Sequence, residues 1–207
     1  MQGGVVLSNF YISDLHFGHF NIIRFDNRPF KSVEEMNKTL IGNWNSVVNK
    51  EDTVYILGDF CWLTEDGWIR ILKQLNGNKV LIKGNHDLKN MSQQLRKMFQ
   101  DVKDYKEIKD NGKRVLLSHY PMPFYRGDYN PDIIHLYGHI HTTIENDFME
   151  HLRDYINEND NRDTAKHKCR FYNVGCMMPY MEYRPKTLEE IISAHEVVDN
   201  QTKLFYD

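Results

Sequence analysis

Through the first hundred residues, short apolar runs alternate with stretches in which apolar side chains recur every three or four positions. The first rhythm is that of a β-strand, the second that of an amphipathic helix. Val5–Ser13 reads as strand one and opens into a polar, aromatic loop from His16 to Phe30. Ser32 with Glu35 three residues on is a capping box, and Met36, Leu40, Trp44, Val47 and Val48 continue from it at helical spacing. Thr53–Leu57 is a second strand. Thr64 can cap a helix whose apolar face is Trp68, Ile71, Leu72 and Leu75, with Gly77 just past its end. Val80–Ile82 is a third strand, followed by a helix from about Met91 to Phe99.

The rhythm then changes. Asp101–Lys109 and Lys113–Leu117 are strand-like on either side of Asp110-Asn111-Gly112, which predicts a hairpin. Ile133–Tyr137 and Arg170–Val174 are further strands. Thr187–Ala194 reads as a short helix with Glu189 and Glu190 in its first turn, and Val197–Phe205 as an edge strand. Asn157–Lys168 is too polar to bury much apolar area and reads as a mobile surface loop. Alternating strands and helices followed by consecutive strands predict an α/β (α+β) fold, mixed sheets with helices outside, in one domain over 1–207.

At 41% hydrophobic and 27% charged residues the chain is of globular composition. A formal charge of −3 gives no basic footprint, so no extended nucleic-acid surface is expected. No apolar run approaches membrane-spanning length. Val5–Phe10 lacks a preceding Lys or Arg, and cleavage of a leader of ordinary length would remove Asp14 and His16, so this segment reads as a strand rather than an export signal. Three cysteines, Cys61, Cys169 and Cys176, in irregular spacing predict free thiols and a cytoplasmic setting. Cys61 reads as a small buried residue rather than a nucleophile.

The chemistry gathers where strands end. Asp14 and His16 are two apart after strand one, so both can face one side; alone, the pair is as readily a solvated loop. Gly58-Asp59 alone is an ordinary turn dipeptide, though the two oxygens of Asp59 could bridge two cations. In Gly84-Asn85-His86-Asp87 the Asn offers a neutral oxygen to a hard cation, and His86 could reach a substrate. Asp87 could hydrogen-bond His86 and keep it protonated as a general acid. His119 alone is a weak signal. Gly138-His139-Ile140-His141 is the strongest, two imidazoles beyond a strand and a glycine. Five clusters of nitrogen and oxygen donors, without a thiolate, suit two hard or borderline divalent ions, and such a pair activates water against phosphorus.

This ordered set, Asp-x-His, Gly-Asp, Gly-Asn-His-Asp, His and Gly-His-x-His, resembles the calcineurin-like metallophosphoesterase superfamily over Asp14 to about Gly175, with small stand-alone bacterial and phage members the nearest in character. The resemblance implies a four-layer α-β-β-α sandwich of two mixed sheets flanked by helices. It implies one metal on Asp14, His16, Asp59 and His141 and a second on Asp59, Asn85, His119 and His139, with Asp59 the bridge and His86 the acid or donor beside the scissile phosphate. Mn2+ is the first expectation for both ions, with Fe, Zn or Ni as alternatives. The implied activity is hydrolysis of a small phosphoester by in-line attack of water activated between the ions, with diesters favoured and a nucleotide among the candidate substrates.

Around this centre, His19 could orient a ligand or substrate, and Arg24 and Arg28 could contact a phosphate, or else form surface ion pairs. Tyr120, Tyr125 and Arg126 lie in a loop that either lines a pocket or packs on itself. His135, His151, His167 and His195 read as lone histidines without partners, and Met177 and Met178 as packing. The competing readings are a phosphomonoesterase, a nuclease, which the missing basic groove disfavours, and a catalytically silent metal-binding scaffold for a protein partner, which the intact His86 and ligand set disfavour. Oligomeric state is not legible.

Overall fold

A computed structural model describes residues 7–161 and 167–203. In one sheet, β4 (Asp101–Lys103), β3 (Asn78–Ile82), β2 (Thr53–Ile56), β1 (Asn9–Ile12) and β9 (Lys186–Thr187) lie side by side in that order. The first four are mutually parallel and β9 runs against them. In the other, β5 (Tyr105–Asp110) pairs antiparallel with β6 (Lys113–Ser118), and β7 (Ile133–Tyr137) and β8 (Phe171–Asn173) follow in parallel. Parallel neighbours need a crossover. It is supplied by α1 (Phe20–Phe25) and α2 (Val33–Val47) after β1, α3 (Glu65–Leu72) after β2, α4 (Gln93–Arg96) after β3 and α5 (Ile144–Asn159) after β7. The last helix, α6 (Leu188–Lys203), follows β9.

The main core joins Met36, Leu40 and Trp44 of α2 and Trp68, Ile71 and Leu72 of α3 to both sheets, including Val115 and Leu117 of β6 and Ile134 and Leu136 of β7. Tyr137 of β7 and Phe171 of β8 instead pack with Met149 of α5 in a second cluster. Alternate residues of a strand face opposite sides, so the second sheet has α5 on its outer face and the main core on its inner one. The layers are helix, sheet, sheet, helix, the expected sandwich. Trp44 and Trp68 are fully buried, each hiding ~200 Å2 at ~25 cal/mol per Å2, about 5 kcal/mol per ring. Their indole N–H groups donate to Asn76 O and Cys61 O, both at 3.0 Å, so Trp68 also pins the loop that follows Asp59.

Several expectations need correction. The strand expected over Asp101–Lys109 breaks at Asp104: β4 belongs to one sheet and β5 to the other. The loop from His16 to Phe30 contains α1, and the helix expected over Met91–Phe99 shrinks to α4, with its tail in tight turns from Met98 N–H to Leu95 O and Phe99 N–H to Arg96 O. Ser32 caps α2 as expected, accepting from Glu35 N–H, whereas the Glu35 carboxylate reaches back to Lys31 N–H. Thr64 stands at the N-cap of α3 but makes no side-chain cap bond.

Helix α5 was not legible, because it is mostly polar and buries only Asn146, Met149 and Arg153. The polar stretch 157–168 begins in its last turn; residues 162–166 lie outside the described residues. Over 197–203 the chain continues α6 rather than forming an edge strand; β9 takes that edge, and Phe205, like Val5 and Val6 of strand one, lies outside the described residues.

Candidate metal centre

Five parallel strands deliver the five clusters. Asp14 and His16 follow β1, Asp59 follows β2, Asn85 and His86 follow β3, His119 follows β6, and His139 and His141 follow β7. Pairing continues past the strand ends. Asp14 N–H donates to Gly58 O (3.1 Å), His16 N–H to Asp59 O (2.9 Å) and Gly138 N–H to His119 O (2.9 Å), so within each sheet neighbouring loops leave locked to one another. Asp14, His16, Asp59, His139 and His141 all have left-handed backbones, with φ of 55°, 51°, 50°, 72° and 47°. Asp and His are among the side chains found there more often than most. Gly58 permits a close approach: a Cβ there would lie 2.4 Å from His119 Nδ1 and 2.7 Å from Gly84 Cα.

The donor atoms converge. Those of Asp14, His16 and His141 lie within 4.8 Å of one another, as do those of Asp14, Asp59 and His119. His16 Nε2 is 3.4 Å from His141 Nε2 and 3.6 Å from Asp59 Oδ2, and His141 Nε2 is 3.6 Å from Asp14 Oδ1. Two donors bound ~2.1 Å from one tetrahedral ion sit about 3.4 Å apart. On the other side His119 Nε2 lies 3.7 Å from Asp59 Oδ1 and 2.9 Å from Asn85 Oδ1. His119 Nδ1 donates to Leu57 O at 2.8 Å, which leaves Nε2 a bare lone pair facing the Asn85 carbonyl oxygen. A ring nitrogen and an amide oxygen turned toward each other beside the Asp59 carboxylate are a donor set that fits a divalent metal. The His139 backbone N–H donates to both Asp14 oxygens (3.2 and 3.1 Å), and its ring packs edge-on to His119.

Electrostatics agree. Burial holds His16 far below the ordinary histidine value, with Arg28 and His141 adding to the fall. His139 is also lowered by burial and by His119, against Asp14 and Asp59. These imidazoles are therefore neutral, the form that ligates metal. Burial pushes the Asp14 carboxyl up, against the pull of His141 and His119. At His141, burial opposes the charge, yet the Asp26 hydrogen bond and the Asp14 charge together outweigh it and raise its proton affinity. A position that attracts a proton this way also attracts a cation.

Asp26 was missed from the sequence. Its Oδ1 accepts from His141 Nδ1 at 2.7 Å and its Oδ2 from Arg28 Nε and Nη2 at 2.9 and 2.8 Å. It stands behind a candidate metal-binding histidine and fixes the tautomer and orientation of its ring. No spacing marks it; its one signal is a position two residues before Arg28. Trp62 was also missed. It stacks on His19 (centroids 4.2 Å apart, 10° between planes) and lies 4.7 Å from His86.

Three expectations change. Arg28 is neither a phosphate contact nor a surface ion pair: it is buried, donating to Asp14 O (2.8 Å), Leu15 O (3.0 Å) and Asp26, and clamps the first ligand loop from behind. Asp87 does not pair with the His86 imidazole. Its carboxylate accepts from the backbone N–H of Gly84 (2.8 Å), Asp59 (3.1 Å) and Phe60 (2.8 Å), tying the third loop to the second. Burial pushes this carboxyl up to about 6, against the backbone donors of Gly84 and Phe60.

Nor are the remaining histidines without partners: His135 Nε2 is 2.8 Å from Ser118 Oγ, and His151 and His195 donate to the carbonyls of Asp147 and Ile191. Arg24 is exposed, its guanidinium over the Phe25 ring. His86 sits at the rim, its backbone N–H on Asp59 Oδ1 (2.9 Å) and its ring 5.9 Å from that of His16. Of the aromatic loop, Tyr120 packs against His119 and His139, while Tyr125 anchors to Arg170 O and His135. The three cysteines are free, as expected, and Cys169 and Cys176 are buried along with Cys61. Among the described residues no helix is long and apolar enough to cross a membrane.

Comparison with known proteins gives the family. An uncharacterized protein of Methanocaldococcus jannaschii is 40% identical over 190 residues, 90% of each chain. The Gene 66 protein of Mycobacterium phage L5 is 33% identical over 165 residues, covering 65% of this chain and 78% of its own. The crystal structure of a protein of unknown function from Aquifex aeolicus superposes with a TM-score of 0.59 at 29% identity, covering 91% of this chain and 100% of its own. The family model described as calcineurin-like phosphoesterase matches residues 10–198. With strand-end ligands, sandwich and family match in agreement, the chain belongs to the calcineurin-like phosphoesterases, metal-dependent hydrolases of phosphoester bonds.

Proposed function

We propose that the protein is a binuclear-metal phosphodiesterase acting on a small phosphoester, with a nucleotide diester among the candidate substrates. One observation carries the two-ion reading. The two oxygens of Asp59 face different donor groups, Oδ2 toward His16 and Oδ1 toward His119, as a bridging carboxylate must. Asp14, His16, Asp59 and His141 would hold one ion and Asp59, Asn85, His119 and His139 the other. All donors are nitrogen or oxygen, suited to Mn2+ first and to Fe, Zn or Ni as alternatives. Such a bound pair supplies an acidified water and positive charge beside the phosphoryl oxygens.

The chain's own residues do the rest. Asp26 and the Leu57 carbonyl orient the rings of His141 and His119. Asp87 holds the loops of Asp59 and His86 in register. His86, exposed at the rim, donates to a phosphoryl oxygen and passes a proton to the leaving oxygen. A diester is favoured on charge. A monoester dianion brings one more negative charge, and the guanidinium hydrogen-bonded at the centre, that of Arg28, has its donors committed to Asp14 O, Leu15 O and Asp26.

The test is turnover of bis-p-nitrophenyl phosphate beside p-nitrophenyl phosphate by metal-stripped protein, with and without Mn2+. Mn2+-dependent turnover of the diester is expected, with His86→Ala keeping its metal and losing about 100-fold or more of it, and Asp59→Asn losing tight binding of both ions. Preference for the monoester would replace the reading with a phosphatase; bound metal without turnover of either would favour a scaffold.

A further inference from the structure

We propose that Trp62 is the positioning residue for His86. This rests on the preceding reading of His86 as the proton donor. Among the described residues, no hydrogen bond or ion pair reaches the His86 imidazole, and its neighbour Asp87 is engaged with three backbone N–H groups. An exposed ring without a polar anchor is free to turn. What confines it is aromatic: the indole of Trp62 lies 4.7 Å from its centroid at 53°, and the ring of His16 at 5.9 Å and 55°.

Trp62 is itself well held. Its backbone N–H donates to Phe17 O at 2.8 Å, and Cys61 bridges to Phe17, so its main chain is fixed to the loop that carries His16. The indole stacks on His19, 10° from parallel, and His19 opens α1 as its N-cap. The stack His19–Trp62–His86 therefore links the first ligand loop to the rim of the third. Trp62 is 47% exposed, so it does not serve to fill the core. Its contacts are with histidines of the site, which is where its indole has an effect.

The consequence is specific to the leaving group. As the bond from phosphorus to the leaving oxygen breaks and the bond to the attacking water forms, His86 gives its proton to the leaving oxygen and recovers one from the water through solvent. A p-nitrophenolate departs without that proton, whereas the more basic phenoxide needs it. Misplacing the donor therefore penalises the phenyl ester more.

The experiment compares bis-p-nitrophenyl phosphate with diphenyl phosphate, two substrates of similar shape, for wild type, Trp62→Ala, Trp62→Phe, His86→Ala and the Trp62→Ala/His86→Ala double variant, each assayed for bound Mn2+. Expected are unchanged metal content and a kcat for diphenyl phosphate lowered about 10- to 100-fold in Trp62→Ala. The loss on the nitrophenyl ester should be within about 3-fold, with partial rescue by Phe, and on either ester the double variant should lose no more than His86→Ala alone. A second readout needs no turnover. In the metal-free protein the ring protons of His86 should carry an upfield ring-current shift that relaxes in Trp62→Ala; Trp62→Phe serves if the alanine variant misfolds. Equal losses on both esters, additive losses with His86→Ala, or an unmoved His86 resonance would overturn the proposal. Wild type inert on both esters, or His86→Ala fully active, would instead sink the reading of His86 and this proposal with it.

Discussion

Asp87 separates two accounts of the same residue. If it acted through His86, Asp87→Asn would lower kcat and leave metal affinity alone. In the structure it braces main chain instead, with Oδ2 accepting from Gly84 and Asp59 and Oδ1 from Phe60, all backbone N–H groups beside the ligands. An asparagine has the same shape but a single acceptor oxygen. Its better orientation keeps both bonds at the Oδ2 position and turns the NH2 against the Phe60 N–H. One buried donor is then unsatisfied, for a loss of about 1–3 kcal/mol; the other orientation abandons two. The same slackening reaches Asp59, and supporting contacts of this kind carry about 10- to 100-fold in metal affinity. The measurement is a Mn2+ titration by calorimetry beside urea unfolding, at about pH 8, where the wild-type carboxyl, sitting near 6, is ionised. A variant with wild-type metal affinity and stability but a reduced kcat would refute this reasoning and restore the pairing with His86.

Two further outcomes follow from the geometry. Gly138→Ala places a Cβ 1.9 Å from Ser13 Oγ and 2.4 Å from Asp14 Oδ2, so Asp14 must move; about 1–3 kcal/mol of stability should go, together with metal retained on gel filtration, and normal metal content would contradict it. His135 is held at about 3 by burial, against a Met122 backbone hydrogen bond, so the folded state keeps it neutral. Its contribution is whole above the unfolded value near 6.5 and is lost at ~1.4 kcal/mol per pH unit as pH falls toward 3. In metal-stripped protein the unfolding free energy of His135→Gln should therefore slope less with pH by one proton between about pH 6 and 4, and parallel curves would show that His135 does not titrate this way.

The convergence of the candidate residues was legible because each cluster ends a strand, and apolar runs followed by Gly, Asp or His mark such ends plainly. The sandwich followed from resemblance, since strand pairing across two sheets leaves no local trace: Asp101 to Lys109 holds no Gly or Pro to mark a break, although the chain changes sheets at Asp104. Helix α5 hid behind its polar surface, because the outer layer of the second sheet needs only a thin apolar face. Arg28 and Asp87 were misread for a common reason. Charged residues beside a reactive cluster suggest contact with substrate, whereas both are buried and bond to main-chain atoms. Asp26 and Trp62 came into view only with the folded loops, since the partners of Asp26 in His141 and of Trp62 in His86 are set by how those loops meet.

Five candidate ligands, Asp14, His16, Asp59, His139 and His141, sit on left-handed backbones. Each such residue costs on the order of 1–2 kcal/mol relative to ordinary conformations, so the rim as a whole costs about 5–10 kcal/mol, as much as the net stability of many domains. The local preference of Asp and His for this region is too weak to draw the loops into place by itself. They can settle only once both sheets are docked and their ladders extend past the strand ends, so the order of folding runs from strands to ligands. The reverse order holds for opening: the amides of the rim exchange before those of β1, β2 and β7 a few residues upstream.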